Sequence, residues 1–358
     1  MLDRLPPELL LEILHFSLPP LSTFEAYHQR QRTLHSFTLA CNPLYALAQP
    51  LLEEIYAVEG DQGDLERLVQ AGHGAKVKTL IMYDLADEMG QTERGQAAKE
   101  LAVIRAFPNV VDLRVSGSEV FLDFLSAFKD LRHLVLFNCD VWHLKRRFIF
   151  PSLASLSIRE TALYLDPCLL FSSEKTPSLR HLALNQNEYW GEPVCPAFSP
   201  DKVDLSRFHT LTVNVTSLPK AFANNAFPSS LSVTLLSNIG SLFIIDDLTA
   251  SPDLHFHLRL IDPYVIRTDP ELATLGVLAF LRNSPHLSKH GPRLLSLRLP
   301  RNIDALMRTG IYDDGLQTSV LETCEKSGIQ VVWENEDEGD LVSLVPNRRS
   351  QSSAEEQH

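Results

Sequence analysis

Ser172-Ser173-Glu174-Lys175 has the spacing of a serine nucleophile with a lysine base one helical turn away. Acyl-transfer chemistry of that kind needs a helix to hold the two side chains together and partner motifs elsewhere. Here Thr176-Pro177 follows at once and the partner motifs are missing, so the string reads as a chance match. His255 and His257 alternate on a strand-like stretch and therefore share a face, which is half of a metal site. No third ligand is identifiable, and ordinary strand histidines explain them. Asp61, Asp64 and the run around Glu336, Asp337 and Glu338 lack the spacing of a calcium loop. The five cysteines, Cys41, Cys139, Cys168, Cys195 and Cys324, are odd in number and form no CxxC pair. They read as reduced, mostly buried thiols. No phosphate-binding glycine loop, nucleophile elbow or zinc-protease helix is present. The expectation is a protein without catalytic residue, cofactor or metal.

The elements that would carry any other activity follow from composition and pattern. The chain has 358 residues, 44% of them hydrophobic and 22% charged, which is ordinary globular composition. With 32 Lys and Arg against 45 Asp and Glu, the net charge of −13 disfavours nucleic acid and anionic membrane surfaces. The N-terminal apolar stretch carries Glu8 and Glu12 and fails as a signal sequence. No uncharged apolar run reaches membrane-spanning length. The chain is expected to be soluble and intracellular, cytoplasmic or nuclear.

Residues 1–57 read as a helical domain. Pro6 and Pro7 suit a helix start, and Leu9, Ile13 and Phe16 recur at four and three to make one apolar stripe. Leu18-Pro19-Pro20 stops that helix. A polar helical stretch over 24–32 and an amphipathic one with Leu34, Phe37 and Cys41 follow. Asn42-Pro43 then opens a third helix carrying Leu44, Leu47, Leu51, Leu52 and Ile55. A hinge at 59–63 and a short helix over 65–71 form a linker across 58–75.

From residue 76 to about 335 the pattern changes. Apolar residues recur at i, i+3 and i+5, as in Val77/Leu80/Met82, Leu131/Leu134/Leu136 and Leu153/Leu156/Ile158. The first positions fall at 77, 110, 131, 153, 179 and 208. Weaker strands around 233–235 and 258–260 lead to Leu294/Leu297/Leu299 and Ile329-Val331-Trp333. Proline precedes several strands, as in Phe107-Pro108-Asn109 and Thr176-Pro177-Ser178. Helices are expected over 96–107 and 120–128. Short apolar strands at periods of 20–30 residues predict an irregular leucine-rich solenoid with a parallel sheet, an α/β class. The alternative is an unrelated α/β sheet with short crossovers. An acidic, disordered tail is expected from 336 to 358.

Leu5-Pro6-Pro7-Glu8-Leu9 with Ile13-Leu14, and then Phe37-Thr38-Leu39-Ala40-Cys41, resemble an F-box of fungal type followed by leucine-rich repeats. Leu44, with Tyr45 beside it, stands where the family has a tryptophan. The resemblance implies a non-catalytic substrate receptor of a cullin-RING ubiquitin ligase, docked through a Skp-type adaptor and binding an unknown protein substrate. It points to Leu5, Pro6, Leu9, Ile13, Leu39 and Leu44 as adaptor contacts. A bundle of about 50 residues buries its leucines poorly, so a partner could cover them. Alternatively, these helices only cap the solenoid, as solenoids require.

In the repeats, i+2, i+4 and i+6 should face outward. Arg114, His133, Phe137, Arg159, His181 and Asn185 would then make a mixed basic and aromatic patch for an acidic or phosphorylated segment. An ordinary solvated sheet face is the other reading.

Overall fold

The computed structural model describes residues 5–19, 24–59, 72–83, 102–117, 119–143, 148–165, 167–185, 203–214, 226–237, 242, 254–260, 270–283, 293–300 and 314–334. The chain divides into two compact units, with the boundary between Phe148 and Ile149.

The first unit opens with helices α1 (Pro7–Ser17), α2 (Phe24–Ala40) and α3 (Asn42–Glu54). Pro6 and Pro7 give α1 its start without a side-chain cap, and the Leu10 N–H donates to the Pro6 carbonyl at 3.1 Å. The two helical stretches expected over 24–41 are one helix. Thr33 and Ser36 donate back to the carbonyls of Gln29 and Arg32, so the polar run competes little with the helix. Pro43 has no N–H for the Leu39 carbonyl, so a continuous helix breaks ahead of it; extended Cys41, rather than Asn42, caps α3. Leu14, Leu18, Leu34 and Ala48 form the core between the helices, with Phe37, Leu47, Leu51 and Leu52 packed around it.

The third helix stops at Glu54. Ile55–Glu59 is a strand, β1, paired in parallel with β2 (Thr79–Tyr83), Ile55 opposite Thr79. The sequence reading missed it, and the domain limit set at residue 57 falls inside it. Its residues, Ile-Tyr-Ala-Val, are good strand formers that also fit a helical stripe. Next come β3 (Asp112–Ser116) and β5 (His133–Phe137), giving the order β1-β2-β3-β5. Two short strands, β4 (Glu119–Phe121) and β6 (Asp140–Trp142), pair with each other. The chain turns toward them through left-handed residues directly after β3 and β5: Gly117 at φ 66° and Asn138 at φ 50°. Glycine and asparagine tolerate that region best. The helix expected over 120–128 shrinks to α4 (Leu122–Leu125), because Val120 is taken by β4. Of the helix expected over 96–107, residues 102–106 are described and helical. The expected helix over 65–71 lies outside the described residues.

The second unit contains β7 (Ser155–Arg159), β8 (Ala162–Leu163), α5 (Pro167–Leu170), β9 (His181–Asn185), β10 (Thr210–Asn214), β11 (Ser232–Ser237), β12 (His255–Leu260), α6 (Pro270–Asn283), β13 (Arg293–Pro300), α7 (Asp314–Lys326) and β14 (Gln330–Glu334). Its long strands are all parallel, in the order β7-β9-β10-β11-β12-β13-β14. Parallel neighbours need crossovers. Helices α6 and α7 supply two that the strand periodicity did not reveal.

The i, i+3 and i+5 residues are the core of both units. Val110, Leu113 and Val115, then Leu153, Leu156 and Ile158, then Phe208, Leu211 and Val213, are all buried. The residue after proline stitches neighbouring turns: Asn109 Nδ2 donates to the Ala75 carbonyl at 2.8 Å, and Ser178 Oγ to the Pro151 carbonyl at 2.6 Å. The architecture is mixed α/β, with a large parallel sheet and an N-terminal helical region. Among the described residues, no helix is long and apolar enough to cross a membrane.

Candidate functional site

Helix α1 carries two apolar stripes, and they part company. Leu10 and Leu14 are fully buried and face the bundle. Leu9, Ile13 and Phe16 turn away from it, with Leu9 46%, Ile13 38% and Phe16 90% exposed. Exposing one apolar stripe of an 11-residue helix while its neighbour is completely buried leaves a face suited to another surface. Leu39, on the last turn of α2, is 85% exposed. Leu5 is half-buried and Pro6 exposed just ahead of α1.

Leu44 differs from the expectation. It is wholly buried, while the adjacent Tyr45 is exposed. One residue along a helix is a rotation of about 100°, so the two side chains cannot share a face. The large apolar residues exposed on these helices are therefore Leu9, Leu11, Ile13, Phe16, Leu39 and Tyr45. Phe16 and Tyr45 were missed as contact residues, although the seven-residue spacing from Leu9 to Phe16 was a usable signal.

Helix α2 does a second job. Tyr27 packs on Ile55, Ile81 and Val135, with Ala57 and Tyr83 against them. Ile81 and Val135 belong to the i+4 column that was expected to face outward. Phe137, in the i+6 column, is buried too, at 3% exposure. The alternation of the strands is as expected, but in this unit the chain's own helix covers the face. The free edge of β1 is occupied as well: Gln31 Nε2 reaches the Ile55 carbonyl at 3.4 Å, and the Tyr27 hydroxyl bonds to the backbone of Ala57. Burial pushes the Tyr27 phenol above its ordinary pKa. Closing an exposed edge in this way removes a pairing template.

The six residues of the expected basic patch are divided. Arg114 is held by Asp112 of its own strand at 3.0 Å, and His133 is exposed. Arg159 is half-buried at the end of β7. His181 is exposed, its Nδ1 3.0 Å from Thr210 Oγ1 and its ring edge-on to His209. Asn185 is buried, and its carbonyl accepts the Glu160 N–H at 2.9 Å. Phe137 and Asn185 leave the patch because they are buried.

Other chemistry-bearing residues have local tasks. Ser172 Oγ donates to the Leu169 carbonyl at 2.8 Å and accepts the Lys175 N–H at 3.3 Å, which makes the Ser-x-x-Lys string a closed turn. Arg207 donates to the carbonyls of Phe171 and Thr176, tying that turn to the approach of β10. His257 Nδ1 lies 2.7 Å from Ser296 Oγ. Cys139, Cys168 and Cys324 are buried free thiols, and Cys195 lies outside the described residues. Among the described residues, no group of three His, Cys, Asp or Glu is placed to hold a metal ion.

No protein-family model matches the chain, and no curated protein is found to be similar to it.

Proposed function

We propose that the chain is a non-catalytic receptor subunit of a cullin-RING ubiquitin ligase. Its N-terminal helices dock a Skp-type adaptor, and its parallel strands, read as an irregular leucine-rich solenoid, bind a substrate protein. The observation that carries this reading is the exposed Leu9-Ile13-Phe16 stripe beside the buried Leu10-Leu14 stripe. It falls on the segment whose Leu5-Pro6-Pro7-Glu8-Leu9 resembles an F-box. An apolar helical face of this kind gains affinity by being covered.

The packing of Tyr27 on Ile55, Ile81 and Val135 favours a second reading, in which the helices serve only as a cap on a leucine-rich scaffold. The two are separated by co-purifying the full chain with a Skp-type adaptor. Receptor function predicts a complex with wild type that is lost in Leu9→Asp/Ile13→Asp, while circular dichroism is unchanged. Folded wild-type protein that retains no adaptor supports the scaffold.

A further inference from the structure

Strand β14 is the last of the described strands, and β13 lies on one side of it. Among the described residues, nothing pairs with its other side. Val331 and Trp333 are the register partners of Leu297 and Leu299, and both leucines are buried. Val331 and Trp333 are only half-buried, as is Val332 between them. The apolar row that runs through the parallel strands therefore ends on residues that no further described strand covers.

An apolar edge strand is a template for pairing, and chains usually blunt it with charge, proline or a covering element. The edge of β1 is covered: Gln31 Nε2 reaches the Ile55 carbonyl, and the Tyr27 hydroxyl bonds to the backbone of Ala57. From Gln330 to Trp333, β14 has neither a charged residue nor a proline.

We infer that the open side of β14 pairs with β14 of a second copy of this chain, antiparallel about a two-fold axis. Three observations select that occupant. Because the β1 edge is closed, a second copy cannot add head to tail, which leaves closed two-fold pairing. The strand is also complementary to itself. With Val332 opposite Val332, each Val331 falls opposite a Trp333 and each Gln330 opposite a Glu334. A β-branched residue then meets an aromatic one twice, and no charge meets its like. Finally, the acidic run of residues 334–340 continues the chain from the C-terminal end of β14. Antiparallel pairing starts the two runs at opposite ends of the paired strands, where their repulsion is least. Strands of five residues make less than a standard interface, so the dimer is reversible and depends on concentration. Each copy carries a net charge of −13, so salt, by screening that repulsion, tightens the dimer.

The test is sedimentation velocity of the full chain over a concentration series at low and at high salt. Wild type should show a monomer–dimer equilibrium that salt shifts toward the dimer. Val332→Lys places two lysines opposite each other at the axis and should weaken the dimer about tenfold or more, and Val332→Glu should do the same with two glutamates. An equimolar mixture of the two variants should dimerise again, because a lysine then faces a glutamate; that recovery also shows that both variants are folded. Wild type that stays monomeric throughout overturns the inference, as does a dimer that either variant leaves unchanged or a mixture that does not recover. A mass that keeps growing past two copies overturns it too. So does a dimer that forms only after residues 335–358 are removed, since the chain's own C-terminal segment would then be the occupant.

Discussion

Phe16→Ala and Leu14→Ala should have opposite consequences, although the residues are two apart on one helix. Leu14 is fully buried against Leu18, Leu34 and Ala48. Truncating a leucine in such a site costs about 2–5 kcal/mol. Phe16 is 90% exposed, so its truncation should cost no more than about 0.5 kcal/mol of folding stability. Its potential contribution lies elsewhere. Full burial of a large apolar side chain is favourable by roughly 1.5–3 kcal/mol, and nearly all of that surface is still available in the free chain. Covering it with an adaptor would contribute about 2 kcal/mol, or roughly thirtyfold in affinity. Urea unfolding of the three proteins and calorimetric titration with a Skp-type adaptor give both quantities. Phe16→Ala should unfold with wild type and bind about thirtyfold more weakly. A Phe16→Ala protein that binds the adaptor as wild type does, or loses stability as Leu14→Ala does, would refute the assignment of the two stripes.

Gly74 and Gly72 give a second contrast. A Cβ on Gly74 would overlap the Ala106 carbonyl, whereas Gly72, at φ +67°, has open space around it. Gly74→Ala should cost about 1–3 kcal/mol by overpacking and exceed Gly72→Ala, whose cost is the left-handed backbone alone, about 1–2 kcal/mol; equal urea midpoints would refute the close approach. His257 has a lowered folded pKa, so the unfolded chain binds the extra proton first. Its contribution to stability is complete above the ordinary value of 6.5 and declines as pH falls toward the lowered folded value. His257→Gln should flatten that part of the stability profile, and a profile identical to wild type would count against the burial of the ring. Burial pushes the Cys324 thiol up to about 11, so at pH 8 it should alkylate with iodoacetamide far more slowly than half-buried Cys41, as mass spectrometry of the modified peptides would show.

The parallel strands were legible because their signal is local and repeated. Leu131, Leu134 and Leu136 announce a strand in six residues, and the same spacing recurs down the chain to Leu299. What failed was tied to context. Ile55-Tyr56-Ala57-Val58 extends a helical stripe as well as it makes a strand, and only its pairing with β2 decides between them. The crossover helices α6 and α7 have no part in the strand period, so that period could not disclose them. The apolar stripe of α1 was visible, yet its sense was not: Leu10-Leu14 and Leu9-Ile13 are equally apolar at the same spacing. Which pair meets α3 depends on how the helices are joined, and no periodicity contains that information.

The outward columns show the same distinction at the level of the site. Alternation along a strand fixes which residues share a face, and that much was correct. It does not say what lies on the face. Ile81 and Val135 are already unusual for a solvated column, and Tyr27 is the reason for them. In the second unit Thr212 and Thr234 hold the i+4 positions and are half-buried, where fully burying a hydroxyl beneath an apolar helix would cost free energy. The side-chain chemistry of an outward column therefore bears on what covers it. An apolar stretch was made to be closed by the chain's own helix.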